Sequence, residues 1–162
     1  MHFLLATPEY NNAQSNTTKV RVHLRNGIAE IFEQHQDLMG KVENNLIEIE
    51  TNFENKIEKF LFVLQDAVFI VSNQGLDGNS ESKGTGVYVY AKKVREINKS
   101  ISIEDFSKQY EQKKAELDIE IEKLNSKQNG SNDLILSSKV LLLQEDVVFL
   151  EKSLAILKQF KN

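Results

Sequence analysis

The hydrophobic period of this 162-residue chain changes once, near Ser100. Before that point apolar and polar residues alternate. After it, apolar residues recur every three or four positions. A strand shows successive residues to opposite faces, whereas a helix shows every third or fourth residue to the same face. A chain written in both periods, one after the other, is built as a β part followed by a helical part. Residues 1–98 are expected to form a β-sandwich domain and residues 99–162 a helical hairpin.

The alternation is explicit in several runs. Val20, Val22 and Leu24 point one way and Lys19, Arg21 and His23 the other, which leaves His23 on a polar, solvent-facing side. Ile47 and Ile49 alternate with Glu48 and Glu50, and the runs KFLFVL (59–64), AVFIVS (67–72) and GVYVYA (86–91) follow. Turn residues separate them. Asn26-Gly27 suits a type I′ hairpin turn, which needs positive φ at both central residues. Asn44-Asn45, the segment Asn52 to Asn55, and Gln65-Asp66 are the other expected turns. Short strands at this spacing predict an antiparallel sandwich or barrel of about eight to ten strands. The run 73–86, NQGLDGNSESKGTG, is predicted to be a mobile loop, with Leu76 its one apolar residue. Its Gly84-Thr85-Gly86 is a fragment of a phosphate-loop pattern, but a strand rather than a helix follows, so it reads as hairpin loop.

In the second part, Ser102-Ile103-Glu104-Asp105 fits a helix-capping sequence. Apolar residues follow at Ile103, Phe106, Tyr110, Leu117, Ile121 and Leu124. A polar break, residues 125–133, precedes Leu136, Val140, Leu143, Val147, Leu150, Leu154 and Leu157, spaced alternately by four and three as in a heptad seam. Helices over about 103–125 and 134–160, joined by that break, predict an antiparallel hairpin roughly 35 Å long. Leu141, Leu142, Val148 and Ile156 lie off the seam, so the second helix has apolar surface for something besides its hairpin partner.

The chemistry that the chain carries is sparse. It has no Cys, which removes disulfides and thiolate metal sites. Its three His, His2, His23 and His35, lack metal-ligand spacing. The carboxylates are scattered, and no Ser sits in a nucleophile elbow. We therefore expect no catalytic, cofactor or metal site, and read the chain as a binding or assembly module. A net charge of −4 offers nucleic acid nothing to bind. The opening MHFLLATPEY lacks the basic start of a signal peptide. The most apolar window, VLLLQEDVVFL, is cut by Gln144, Glu145 and Asp146, so no membrane span is expected.

A β-sandwich followed by a two-helix hairpin, with one particular motif, resembles the epsilon subunit of F-type ATP synthases (delta in mitochondria). That family carries a run of the form G-E-L-G-I-Y-P-G-H-A-P-L-L after its second strand. The run from Gly27 to Met39 is similar: Gly27, Ile31, His35 and Leu38 agree in type, and Phe32 and Met39 in character. The lead-in Val20-Arg21-Val22 and the strand Lys59-Phe60-Leu61-Phe62-Val63 are similar as well. The chain departs from the pattern in four places. Glu33-Gln34 stands where the family has Pro-Gly before the His, so this turn must be built differently. Gln65-Asp66 replaces a Gly-Gly hairpin, and residues 73–86 look inserted. Some bacterial members have an ATP-linked Asp and Arg-Ala motif in the hairpin; the aligned residues here are Glu104, Ser107 and Lys108, without the Arg.

The resemblance implies a non-catalytic rotor subunit that clamps a gamma-type shaft beside catalytic alpha/beta-type subunits and transmits torque, in some complexes to a membrane rotor ring. It implies that Gly27, Ile31, Phe32, His35 and Leu38 lie at the end of the sandwich that meets the ring or the shaft. It also implies a hairpin able to regulate hydrolysis, with Leu141, Leu142 and Val148 as its second docking surface. The location implied is cytoplasmic, peripheral to a membrane through the complex. Alternatives are a motor of the same family that hydrolyses ATP without a standard ring, and an unrelated coiled-coil adaptor. His35 could equally do no more than bond its own loop. A ligand-binding barrel would need a cavity, and Phe60, Phe62, Phe69, Tyr88 and Tyr90 argue for a filled core.

Overall fold

The computed structural model describes residues 1–74, 84–126 and 133–161. Most of the predicted loop 73–86, Leu76 included, lies outside them. Two compact units follow one another, Met1–Asn98 and Lys99–Asn162.

Among the described residues the first unit holds eight strands: β1 His2–Ala6, β2 Asn11–Gln14, β3 Thr17–Leu24, β4 Gly27–Ile31, β5 Leu38–Val42, β6 Asn45–Phe53, β7 Lys56–Ser72 and β8 Gly86–Ile97. They pair in the order β2-β1-β8-β7-β6-β3-β4, and β5 pairs with β7. The arrangement is the predicted β-sandwich, with one ladder that departs from antiparallel: β1 runs parallel to β8. Antiparallel β7 and β8 join the two layers. The first half of β7 pairs with β6 and the second half with β5.

This arrangement corrects the reading of Gln65-Asp66. The pair is not a hairpin turn but lies inside a single 17-residue strand, β7. Asp66 takes a φ of 46° there, and the strand changes phase at that residue. Phe62 and Leu64 face the core before it; Ala67, Phe69 and Val71 face the core after it. β8 stays in register across the bend, pairing Gln65 with Lys93 and Ala67 with Ala91. Local turn chemistry thus gives way to two flanking ladders.

The other turns vary. Glu54 and Asn55 both take positive φ, 47° and 64°, between the paired residues Phe53 and Lys56, which makes a type I′ hairpin. Asn44, at φ 45°, turns β5 into β6. The β3–β4 turn is not the predicted type I′. Leu24 pairs with Gly27, so Arg25-Asn26 is the loop, and the positive φ, 148°, falls on Gly27 alone.

The core is filled from both layers by Phe3, Leu5, Val20, Val22, Ile31, Ile47, Ile49, Phe62, Phe69, Val87 and Val89, among others. Phe60 packs partly against it, whereas Tyr88 and Tyr90 lie on the outer face, against expectation. Gly40 is needed for this packing. It pairs with Phe69, whose ring lies where a Cβ on Gly40 would be.

The second unit is α1 Ile103–Ser126 and α2 Asp133–Lys161. Ser102 caps α1: its Oγ accepts from Asp105 N–H at 3.2 Å and its carbonyl from Phe106 N–H at 3.1 Å. Leu117, Leu143 and Val147 are the buried centre of the hairpin, with Tyr110 and Val140 against them. The seam of α1 differs from the apolar list. Glu120 is buried and Ile121 is exposed. Glu120 Oε1 lies 2.9 Å from Lys123 Nζ and 2.9 Å from Lys139 Nζ of α2.

Candidate partner-binding surfaces

β4 ends at Ile31, whose side chain is in the core. The chain then leaves the sheet, and Phe32 to His35 form a turn closed by His35 N–H donating to Phe32 carbonyl at 3.1 Å. Gln34 is third in that turn and has φ 64°. Type II turns give that position to Gly and the one before it to Pro. Here Glu33-Gln34 occupy both, and side chains from distant segments brace them. Gln34 N–H donates to Thr85 Oγ1 at 2.7 Å. Thr85 N–H donates to Glu33 Oε1 at 2.8 Å. Thr85 Oγ1–H donates to Asn73 Oδ1 at 2.8 Å, and Asn73 Nδ2–H donates to His35 carbonyl at 2.7 Å and to Asp37 Oδ1 at 2.9 Å. Asp37 Oδ1 also accepts from Asn73 N–H at 3.1 Å. The Met1 amino group lies 2.7 Å from Glu33 Oε2; that group first, and Thr85 N–H second, hold the Glu33 carboxyl below the usual carboxylate range.

The structure therefore gathers three of the five residues singled out here. Phe32 and Leu38 are exposed, 49% and 37%, on either side of the braced turn. His35 lies between them, and its Nδ1–H donates to Gln36 carbonyl at 2.8 Å, the local bond foreseen as one alternative. Ile31 is buried, and Gly27 lies at the other end of β4, roughly 13 Å of strand away. Sequence reasoning did not single out Thr85, Asn73 and Asp37 in this role. The available signal is a Thr between two glycines, which by itself reads as a hairpin loop.

The outer faces of the two layers differ. On β3, β4 and β6 the face is saturated with charge pairs. Arg21 reaches Glu30 at 2.6 Å and Glu48 at 3.5 Å, and His23 Nε2 lies 2.6 Å from Glu48, so His23 is half-buried and engaged rather than free. Glu50 meets Lys59 at 3.0 Å and Lys19 at 3.2 Å. On β5, β7, β8 and β1 the face carries an apolar row, bordered by Lys41, which pairs with Val68 and meets Glu43 at 2.6 Å. Register aligns Met39, Ile70, Tyr88 and Leu4 in one row across four strands, with Val68 and Tyr90 paired beside it. Met39 is 71% exposed, Tyr90 42% and Val68 40%. Soluble proteins leave such contiguous apolar area open mainly where something binds.

On the hairpin, Leu141, Leu142 and Val148 are exposed. Among the described residues no group of three or more His, Asp or Glu is placed to hold a metal ion, and no helix is long and apolar enough to cross a membrane.

The fold defines a class: a β-sandwich followed by a helical hairpin. A chain of the Euglena gracilis mitochondrial ATP synthase, in the assembly of OSCP, F1 and c-ring, has a similar fold at a TM-score of 0.52 and 12% identity, over 94% of this chain and 79% of that one. A central stalk and c-ring chain of the Tetrahymena thermophila mitochondrial ATP synthase aligns less well, at a TM-score of 0.44 and 11% identity over 59% of this chain and 65% of that one. No family model and no curated protein matches the sequence.

Proposed function

We propose that this chain is a non-catalytic central-stalk subunit of a rotary F-type ATP synthase or of an F-type-like ATPase. The observation that carries the reading is the apolar row Met39, Ile70, Tyr88 and Leu4 on one outer face, set against a charge-paired opposite face. The shared fold with a chain of an ATP synthase assembly supports the choice of partner. On this reading the sandwich, residues 1–98, clamps a gamma-type shaft with its apolar face. The end with Phe32, His35 and Leu38 meets the shaft foot or a rotor ring. The hairpin, residues 99–162, presents Leu141, Leu142 and Val148 to a second docking partner and regulates hydrolysis. The chain itself does no chemistry, and its surroundings are the cytoplasmic side of a membrane-attached complex.

The test is affinity capture of the tagged chain from its own cells in mild detergent, with bound proteins identified by mass spectrometry. Recovery of catalytic ATPase subunits and a shaft in near-equal amounts is the expected result. Ring and stator subunits in the same fraction distinguish a synthase from a motor working without a ring. Recovery of no ATPase subunit sinks the stalk reading and leaves the coiled-coil adaptor.

A further inference from the structure

The turn from Phe32 to His35 holds Gln34 at φ 64°, a conformation that is uncommon for a residue with a side chain. The local support is one backbone bond, His35 N–H to Phe32 carbonyl at 3.1 Å. The turn has neither the Pro nor the Gly that would set this geometry from within. What else holds it comes from far along the chain. Thr85 is 1% exposed and makes four hydrogen bonds to three segments. Its hydroxyl accepts from Gln34 N–H and donates to Asn73, its N–H donates to Glu33, and its carbonyl accepts from His2 N–H at 2.9 Å. Asn73 in turn fixes His35 carbonyl and Asp37. Among the side chains that it leaves exposed, beside Glu33, Gln34, Gln36 and Asp37, are the apolar Phe32 and Leu38.

We infer that Thr85, with Asn73, is a positioning residue that fixes the 32–38 loop before a partner arrives, so that Phe32 is presented to the ATPase assembly in its bound conformation. The inference rests on the stalk reading for the identity of the partner. Its physical basis is general: a loop ordered in advance does not lose conformational freedom on binding, and its affinity is higher for that reason. Thr85 need not touch the partner; it acts through the turn.

The test uses the full-length chain and the ATPase assembly isolated from the source cells and stripped of this chain. Thr85→Val keeps the shape and removes both hydroxyl bonds; Thr85→Ser keeps the hydroxyl. Thr85→Val is expected to weaken re-association about tenfold, and Thr85→Ser to leave it near that of the unaltered chain. Phe32→Ala should produce a similar loss, and Thr85→Val should add nothing further in the Phe32→Ala background. Glu33→Pro with Gln34→Gly builds the turn from its own residues, and should restore binding to Thr85→Val. Equal binding of Thr85→Val and the unaltered chain, while Phe32→Ala binds weakly, overturns the inference and leaves the loop a partner site. Additive losses overturn it as well. Failure of the unaltered chain to bind the assembly overturns the stalk reading. Hydrogen exchange at the Gln34 amide in the isolated chain then decides separately. Faster exchange in Thr85→Val at unchanged Tm supports bracing of the turn, and unchanged exchange refutes it.

Discussion

The carboxylate of Glu120 on α1 and the ammonium of Lys139 on α2 meet across the hairpin at 2.9 Å, at a buried position that an aliphatic side chain would ordinarily fill. Lys123 approaches the same oxygen at 2.9 Å. The two ammonium groups are half-exposed, 53% and 52%, so the pairs contribute little to stability, but a charge at a seam position disfavours wrong registers. Glu120→Leu is therefore expected to raise the melting temperature of the hairpin while broadening its register. Glu120→Ala should lower the melting temperature. Distances between spin labels on Cys introduced into the two helices, in a chain with no native Cys, read the register directly.

Lys139 first, and Lys123 second, hold the Glu120 carboxyl below its usual range. A carboxyl depressed in the folded state stabilises that state fully above its unfolded pKa, about 4.3. The contribution is lost as pH falls through the lower, folded value. Helix content followed by circular dichroism should thus melt progressively earlier below about pH 4.3, and Glu120→Gln should flatten that acid limb. An identical pH profile in Glu120→Gln would count against the pairing.

Gly40 leaves room for the Phe69 ring opposite it. Gly40→Val is expected to cost about 1–3 kcal/mol in urea unfolding, by overpacking. Phe69→Leu combined with Gly40→Ala should recover part of the loss, because the smaller side chain vacates the space. Independent, additive costs would show that the ring is not the obstacle.

The β6–β7 turn places Glu54 and Asn55 at positive φ, where Asn-Gly is the preferred pair. Glu54→Asn with Asn55→Gly should stabilise the chain by roughly 0.5–1 kcal/mol, seen as a shifted denaturation midpoint at constant slope.

The apolar row makes a separate prediction. Met39→Lys with Tyr90→Glu alters two exposed side chains and should change stability by no more than about 0.5 kcal/mol each. The same change should abolish co-purification with ATPase subunits. Retained co-purification would move the shaft contact to another face.

Much of this architecture can be read from the sequence, and the parts that cannot share a cause. The switch of period near Ser100 locates both units, because burial on one face imposes 2.0 or 3.6 on any amphipathic element. Ser102 and Asp105 mark a helix start that involves only neighbours. The misreadings all depend on residues far apart. Gln65-Asp66 has the chemistry of a turn, but β8 pairs on both sides of it and keeps the strand running. Ile121 is the apolar choice for the seam, yet docking on α2 sets a phase that buries Glu120. Of the candidate site, Phe32, His35 and Leu38 were visible as a motif. Their brace was not, since Thr85 lies 51 residues from the Gln34 that it holds.

β7 passes from one layer to the other without a break in its 17 residues, and β8 follows it across the bend at Asp66. Two sheets that merely stack resist sliding only through the interlocking of their side chains. Here two covalent chains, hydrogen-bonded to each other, cross the gap. Shear between the layers must twist both strands and strain the hydrogen bonds between them, and the sandwich resists distortion as a folded plate does, at its crease.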